Sequence, residues 1–222
     1  MPEKSKLEHL FVGFGFGPIQ AGFFVHEAVR SGNFSRIVIA EVDSRLVEAV
    51  QGNHGRYYVN VAHKDGIETV EIEGVELLDS TVVQDREKLR DALSAATEIV
   101  TSLPSVAFYT TGEGGSIAAL IAEGLLSSTV PITFIYTAEN NNYAAEILER
   151  SVNKFIDKPV NHFVQYFNTV IGKMSQVVTD TKKIKRMKLQ PIAPGLNKAF
   201  LVEEFDQILI NRNKVLGFKI GC

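Results

Sequence analysis

The chain holds a single cysteine, Cys222, in 222 residues. It can form no intramolecular disulfide, which fits a reducing compartment and leads us to expect a cytoplasmic protein. Long hydrophobic runs are also missing. No stretch approaches the roughly 20 apolar residues that span a bilayer, and the charged start runs into a short apolar segment without a cleavage pattern. No membrane partner is expected. Without a secretory signal, the formal glycosylation triplet Asn33-Phe34-Ser35 reads as chance. Charge of one sign is scarce too. The 23 Lys and Arg against 26 Asp and Glu leave a formal net charge of −3, so no general attraction to nucleic acid is expected. The five histidines, His9, His26, His54, His63 and His162, pair at no metal-ligand spacing, and no metal site is expected. A serine nucleophile elbow and a Walker loop are absent, as are internal repeats, heptads and low-complexity tracts.

What is there begins in the first forty residues. Leu10 to Phe14 reads as a short apolar strand. It runs into Gly15-Phe16-Gly17-Pro18-Ile19-Gln20-Ala21-Gly22, then into a helix with Phe23, Phe24, Ala28 and Val29 on its apolar side. A second strand, Arg36 to Ala40, ends on Glu41. Strand, glycine-rich turn, helix, strand and terminal acid is the order of a dinucleotide-binding βαβ unit. Gly15 and Gly17 would let the backbone turn sharply and approach a pyrophosphate. Pro18 is tolerated in the first helical turn, where its missing N–H costs nothing. With Ile19 and Gln20 it would form the helix start whose N–H groups attract phosphate charge. Glu41 lies 24 residues after Gly17, near the roughly 20 expected for an acid that accepts from both ribose hydroxyls and repels a 2′-phosphate. NAD is therefore the expected cofactor. Gln20 stands where the third glycine of the fingerprint belongs.

Further along, segments alternate. Arg45–Gln51 reads as a helix, and Tyr57–Val61 with Thr69–Ile72 as a small antiparallel insertion turning at Asp65-Gly66. Asp85 is placed to cap a helix reaching Ala96. A strand at Ile99–Thr101 ends in Ser102 and Leu103, which are expected to line the cofactor crevice. A helix at Ile117–Leu125, a strand at Ile132–Tyr136 and a helix at Asn142–Asn153 follow. This order predicts an α/β fold, a doubly wound and mostly parallel sheet. Glu139 and Asn140 stand at the carboxyl end of a strand, where such sheets place ligand groups. Asn141 or Asn142 reads as a helix cap. Beyond residue 157 strands succeed strands (Phe163–Val170, Ser175–Val178, Ala199–Ile210), which predicts antiparallel additions at the C-terminal edge. Residues 1–157 would form the dinucleotide-binding part and 158–222 its extension. The basic run Lys182–Lys188 reads as a solvated hairpin flank.

Together these segments resemble the mannitol dehydrogenase family of polyol-specific long-chain dehydrogenases, the group that includes mannitol-1-phosphate 5-dehydrogenase. Residues 14–23 look like the family's F-G-x-G-N-I-G-R-G-F turn, Ile39-Ala40-Glu41-Val42-Asp43 like its F-A-D-V-N, and Thr137-Ala138-Glu139-Asn140 like its A-C-E-N. Val170 to Met174 occupies the place of its A-V-D-R-I, with Gly172 for the aspartate and Lys173 keeping the positive charge. The resemblance implies a Rossmann-like domain, NAD(H), and a polyol or sugar-phosphate substrate. It implies a catalytic contribution from Asn140 as oxyanion donor, and it makes Lys173 the local candidate for a base. The family's own lysine base lies in a helical domain within K-x-x-x-x-N-x-x-H, a pattern no lysine here begins. The expectation is a cofactor-binding half whose helical catalytic domain is absent from this chain or supplied by a separate chain, and which is inactive alone. Two rival readings remain: a non-catalytic dinucleotide-binding or redox-sensing module, and a methyltransferase using S-adenosylmethionine, which also combines a glycine-rich turn with an acid after the second strand.

Overall fold

The computed structural model describes residues 9–205 and 207–212. The opening unit is strand β1 (His9–Phe14), a helix, and strand β2 (Phe34–Glu41). The helix begins at Pro18, widens into a π-helical turn over Gln20–Val25, and ends as α1 (His26–Ser31) on Gly32, which takes the left-handed conformation at φ 63°. Next come α2 (Ser44–Gly52), β3 (Tyr57–Ala62), β4 (Ile67–Ile72), β5 (Val75–Asp79), α3 (Val83–Ser94) and β6 (Glu98–Thr101). After two short 3-10 turns follow α4 (Ile117–Leu126), β7 (Ile132–Thr137), α5 (Ala144–Asn153) and β8 (Phe163–Ile171). The last elements are β9 (Ser175–Val178), α6 (Thr181–Met187), β10 (Ala199–Glu203) and β11 (Ile208–Ile210).

Seven strands form the main sheet in the order β11-β8-β7-β6-β1-β2-β5. All neighbours are parallel except β11, which runs antiparallel to β8. The chain winds outward from β1 through β2 to β5, then returns to the other side of β1 and winds through β6 and β7 to β8. The order therefore reverses between β1 and β6, and a crevice opens beyond the carboxyl ends of these strands. A second sheet, β4-β3-β10-β9, joins the β3–β4 hairpin to the antiparallel pair β9–β10 through parallel pairing of β3 with β10.

Side chains alternate across β1, as the pleat requires. Phe11 packs with Ile39, Tyr57, Phe200 and Val202 in the core shared by the two sheets. Val12 and Phe14 pack on the opposite face with Leu93, Ile121 and Leu148 from α3, α4 and α5. Burial on both faces explains why β1 and β2 read as continuous apolar runs rather than alternating ones. Phe16, the residue between the two turn glycines, packs edge-on against Tyr57 and Phe200, with ring centroids 4.9 and 5.8 Å away. The glycine turn is thus nailed to the second sheet.

The α/β class, the mostly parallel sheet and the β3–β4 hairpin match the sequence expectation. Several details differ. Phe163–Ile171 joins β7 in parallel, because α5 makes a crossover before it, so β8 is a sixth parallel strand rather than an antiparallel addition. Ala199–Ile210 divides into β10 and β11, which enter different sheets. Val75–Asp79, which sequence reading passed over, is the parallel edge strand next to β2. Asp85 lies inside α3 and accepts from the Asp79 backbone N–H at 3.0 Å instead of capping. Tyr143, not Asn141 or Asn142, precedes α5, although Asn141 Oδ1 accepts the Tyr143 N–H at 2.9 Å. The basic run is helix α6, capped by Asp180, rather than a hairpin flank. Among the described residues no helix is long and apolar enough to cross a membrane, and no cluster of His, Cys, Asp and Glu could hold a metal. Cys222 lies outside the described residues.

Candidate dinucleotide site

The two turn glycines stand in different surroundings. Gly15 has φ +84°, and a Cβ there would stand 2.6 Å from the Ser102 carbonyl oxygen. Its N–H donates to Ala40 O at 2.9 Å, while Ser102 N–H donates to Phe14 O at 2.9 Å. Gly15 therefore seals the junction of β1, β2 and β6. Gly17 has an ordinary φ and open space: nothing lies within 4 Å of where its Cβ would be. A glycine that neither conformation nor packing demands, at the mouth of a crevice, leaves room for a ligand to touch the backbone. Pro18 and Ile19 then start the helix, and Ala21 N–H closes its first turn on Gly17 O at 2.9 Å. The N–H groups of a helix's first turn lack partners inside it and attract anions.

Glu41, half-buried at the tip of β2, is bound into this turn. Its carboxylate accepts from Phe16 N–H at 2.7 Å, Val42 N–H at 2.7 Å and Asp43 N–H at 3.1 Å. A carboxylate offers about four acceptor positions, so three backbone donors leave capacity for a hydroxyl. Beside it, Asp43 caps α2 through Leu46 N–H and pairs with Lys198 at 2.6 Å, which holds its carboxyl below the usual range. Arg45 is exposed on the first turn of α2.

Gln20 replaces the fingerprint's third glycine, and the structure shows how the helix still packs on the strand. The Gln20 side chain is fully buried and lies over Gly13 of β1, where a Cβ would come 2.0 Å from its Nε2. The space normally left by a glycine on the helix is here left by a glycine on the strand. Neither polar atom of the Gln20 amide has a partner. Sequence reading did not pick out Gly13; its signal was a glycine inside an apolar strand, which marks close approach of another group. Gly22 completes the packing, with its Cβ position 2.7 Å from Val202.

Across the crevice, Ser102 and Leu103 form the wall that follows β6. Glu139 is not at the surface, where a ligand could reach it, but 4% exposed beneath that wall. Its carboxylate accepts from Leu103 N–H at 3.0 Å, from Thr101 Oγ1 at 3.0 Å, and from the Tyr109 hydroxyl. Burial pushes its pKa up in spite of these donors. Asn140, the next residue, is exposed at the rim. Lys173 is buried at the end of β8; its Nζ donates to Phe205 O at 3.4 Å and lies 5.8 Å from the ring centroid of Phe23 on the π-helical turn. The structure thus brings Gly15, Gly17 and Glu41 to one side of the crevice, with the Gln20 side chain buried behind them, and Ser102 and Leu103 to the other, whereas Lys173 is engaged by Phe205 and Phe23.

Two solved structures share this architecture. Pseudomonas fluorescens mannitol 2-dehydrogenase, in a ternary complex with NAD and D-mannitol, superposes with a TM-score of 0.69 at 11% identity over 93% of this chain. A D-sorbitol dehydrogenase in substrate-free form gives 0.71 at 12% identity over 92% of this chain. This chain spans about 50% of the length of each. At such identities the likeness establishes the fold, that of the half of a polyol dehydrogenase with which this chain aligns. No protein-family profile matches the chain, and no curated protein matches it in sequence.

Proposed function

We propose that this chain is the NAD-binding portion of an oxidoreductase acting on the CH–OH group of a polyol or sugar phosphate. The observation that carries the reading is the pairing of Gly17, with open space at its α-carbon, and Glu41, hydrogen-bonded into the same turn from the tip of β2. In this reading Gly15, Gly17, Pro18, Ile19 and Gln20 shape the diphosphate seat, and Ser102 and Leu103 form the opposite wall. Glu41 offers its remaining acceptor capacity to the ribose and disfavours a 2′-phosphate by charge. Residues 1–157 supply the dinucleotide seat and 158–222 extend it. Asn140, exposed beside the wall, is the available donor to a developing oxyanion. When bound, the nicotinamide supplies the hydride acceptor, and the hydroxyl proton must pass to a positioned base.

Among the described residues no base stands in position. Lys173 faces a backbone carbonyl and an aromatic ring, and no lysine of the sequence begins the lysine pattern of the resembled family. A helical partner segment would complete the site. The exposed Val170, Met174, Phe205 and Leu209 around the end of β8 support such a cover. Titration calorimetry with NAD(H), NADP(H) and S-adenosylmethionine tests the reading. The expected result is NAD(H) bound in preference to NADP(H), with no binding of S-adenosylmethionine. Equal or tighter NADPH binding would overturn the cofactor assignment and point to Arg45 as a phosphate ligand. Tight S-adenosylmethionine binding would turn the reading toward a methyltransferase.

A further inference from the structure

Among the described residues Glu139 is the buried carboxylate that reaches the crevice wall, and it touches three separate pieces of the chain. It leaves the end of β7, accepts from Thr101 at the end of β6, from the backbone of Leu103 in the wall, and from Tyr109 in the 3-10 turn beyond. The other side of the same wall presses on Gly15, whose Cβ position lies 2.6 Å from Ser102 O. The peptide between Ser102 and Leu103 is therefore gripped from the glycine turn on one side and from Glu139 on the other. It stands at the carboxyl ends of β1 and β6, where the strand order reverses.

We propose that Glu139 is a positioning residue for the dinucleotide, fixing the Ser102–Leu103 wall through the Leu103 N–H and setting the adjacent Asn140 at the rim. This rests on the NAD-binding reading above. Only the ionised carboxylate can accept from all three donors. The Leu103 N–H meets Oε1 and the two hydroxyls share Oε2. A proton on Oε2 makes one hydroxyl turn to accept, and the Leu103 bond loses the charge assistance that roughly doubles its strength. Leu103 is the donor that can move, because it lies in a loop, whereas Thr101 and Tyr109 are fully buried. Acidification therefore loosens the wall. The titratable group facing Glu139 is Tyr109, whose hydroxyl is itself held protonated by burial and by the neighbouring carboxylate.

The test is NADH affinity, read by its fluorescence, across pH 5 to 9 for the parent, Glu139→Gln and Tyr109→Phe. The parent is expected to bind with constant affinity at high pH and to lose affinity on acidification through a midpoint above the ordinary carboxylate range, as burial of Glu139 dictates. Glu139→Gln should bind about tenfold more weakly at pH 8, with a flat profile. Tyr109→Phe removes a donor but leaves the Leu103 contact, so it should keep parent affinity at pH 8 and shift the midpoint upward. Parent-like affinity and pH dependence in Glu139→Gln would overturn the proposal while leaving the NAD reading intact. Absence of NADH binding by the parent overturns both.

Discussion

Glu41 and Glu139 perform the same mechanical task on opposite sides of the crevice, in opposite surroundings. Glu41 ends β2 and Glu139 stands two residues past the end of β7, and each captures a backbone N–H of the loop beside it: Phe16 in the glycine turn for Glu41, Leu103 in the wall for Glu139. Glu41 does so half in water, with three backbone donors and capacity to spare. Glu139 does so in the interior, with two hydroxyls and one amide. Free energy follows the surroundings rather than the number of bonds. A donor that loses its acceptor at the surface finds water, whereas one that loses it inside pays the full desolvation penalty. The difference separates an acid free to meet a ligand from an acid committed to the scaffold.

The sharpest way to break this comparison is to truncate both. Glu139→Ala leaves the buried Thr101 and Tyr109 hydroxyls only each other, 3.4 Å apart, takes the acceptor from the Leu103 amide and opens a cavity, and should destabilise the fold by about 3 kcal/mol. Glu41→Ala should cost about 1 kcal/mol, since its donors reach solvent. Urea denaturation of the two variants measures the contrast; equal losses would mean that Glu139 is not the anchor its contacts describe.

A third acid sharpens it further. Glu98, at the amino end of β6, is partly buried and its carboxyl is pushed up to about 7 by desolvation. Its folded-state value lies above its unfolded one, so its contribution is fully present below about pH 4.5 and is lost as pH rises through 7. Glu98→Gln removes that loss. The variant should match the parent near pH 4.5 and exceed its stability at pH 8 by about 2 kcal/mol. Thermal melts at the two pH values decide, and an unchanged difference between them would show that Glu98 ionises freely.

On the other side, Gly17 tests whether the open space at the turn belongs to the proposed ligand or to the scaffold. Gly17→Val places a side chain where nothing now stands, so the melting temperature should hold within a degree or two while NADH affinity falls at least tenfold, about 1.4 kcal/mol. Loss of the fold instead would show that Gly17 is structural, and unchanged affinity would remove it from the binding site.

The glycine turn and Glu41 were legible because both obey local rules: a positive φ or a close approach demands glycine, and an acid ends a strand. The same reading passed over β5, since Val75-Glu76-Leu77-Leu78 is short and follows a polar stretch, and only pairing with β2 makes it a strand. Glu139 looked like a ligand group because it follows a strand in sequence. Its burial is decided by Thr101 and Tyr109, 38 and 30 residues away, and no local pattern encodes that. The basic run was read as a flank because its charges conceal a helix that Asp180 starts and Lys188 ends in the left-handed conformation. Parallel pairing of β8 depends on where α5 returns the chain, which is likewise a property of the whole sheet.

The smallest expected effect is a coupling at Gln20, a polar side chain under the turn that has no hydrogen-bond partner among the described residues. Gln20 and Gly13 are complementary: the amide occupies the space the strand glycine leaves, and both its polar atoms are unpaired. Gly13→Ala alone forces a methyl against a buried side chain and against Ile39, whose Cδ1 lies 2.6 Å from the new atom's position, and should cost about 2 kcal/mol by overpacking. Gln20→Ala alone trades a cavity against relief of the buried amide, two terms of similar size and opposite sign, so its net effect should be near zero. In the double variant the new methyl meets no amide. The two changes should therefore couple favourably by about 1 kcal/mol in a double-mutant cycle. On the proposed function NADH affinity should follow the same cycle, because Gln20 begins the π-helical turn behind the proposed diphosphate seat. Additive effects on stability would mean that the helix and strand adjust independently and that Gly13 is not the counterpart of the missing third glycine.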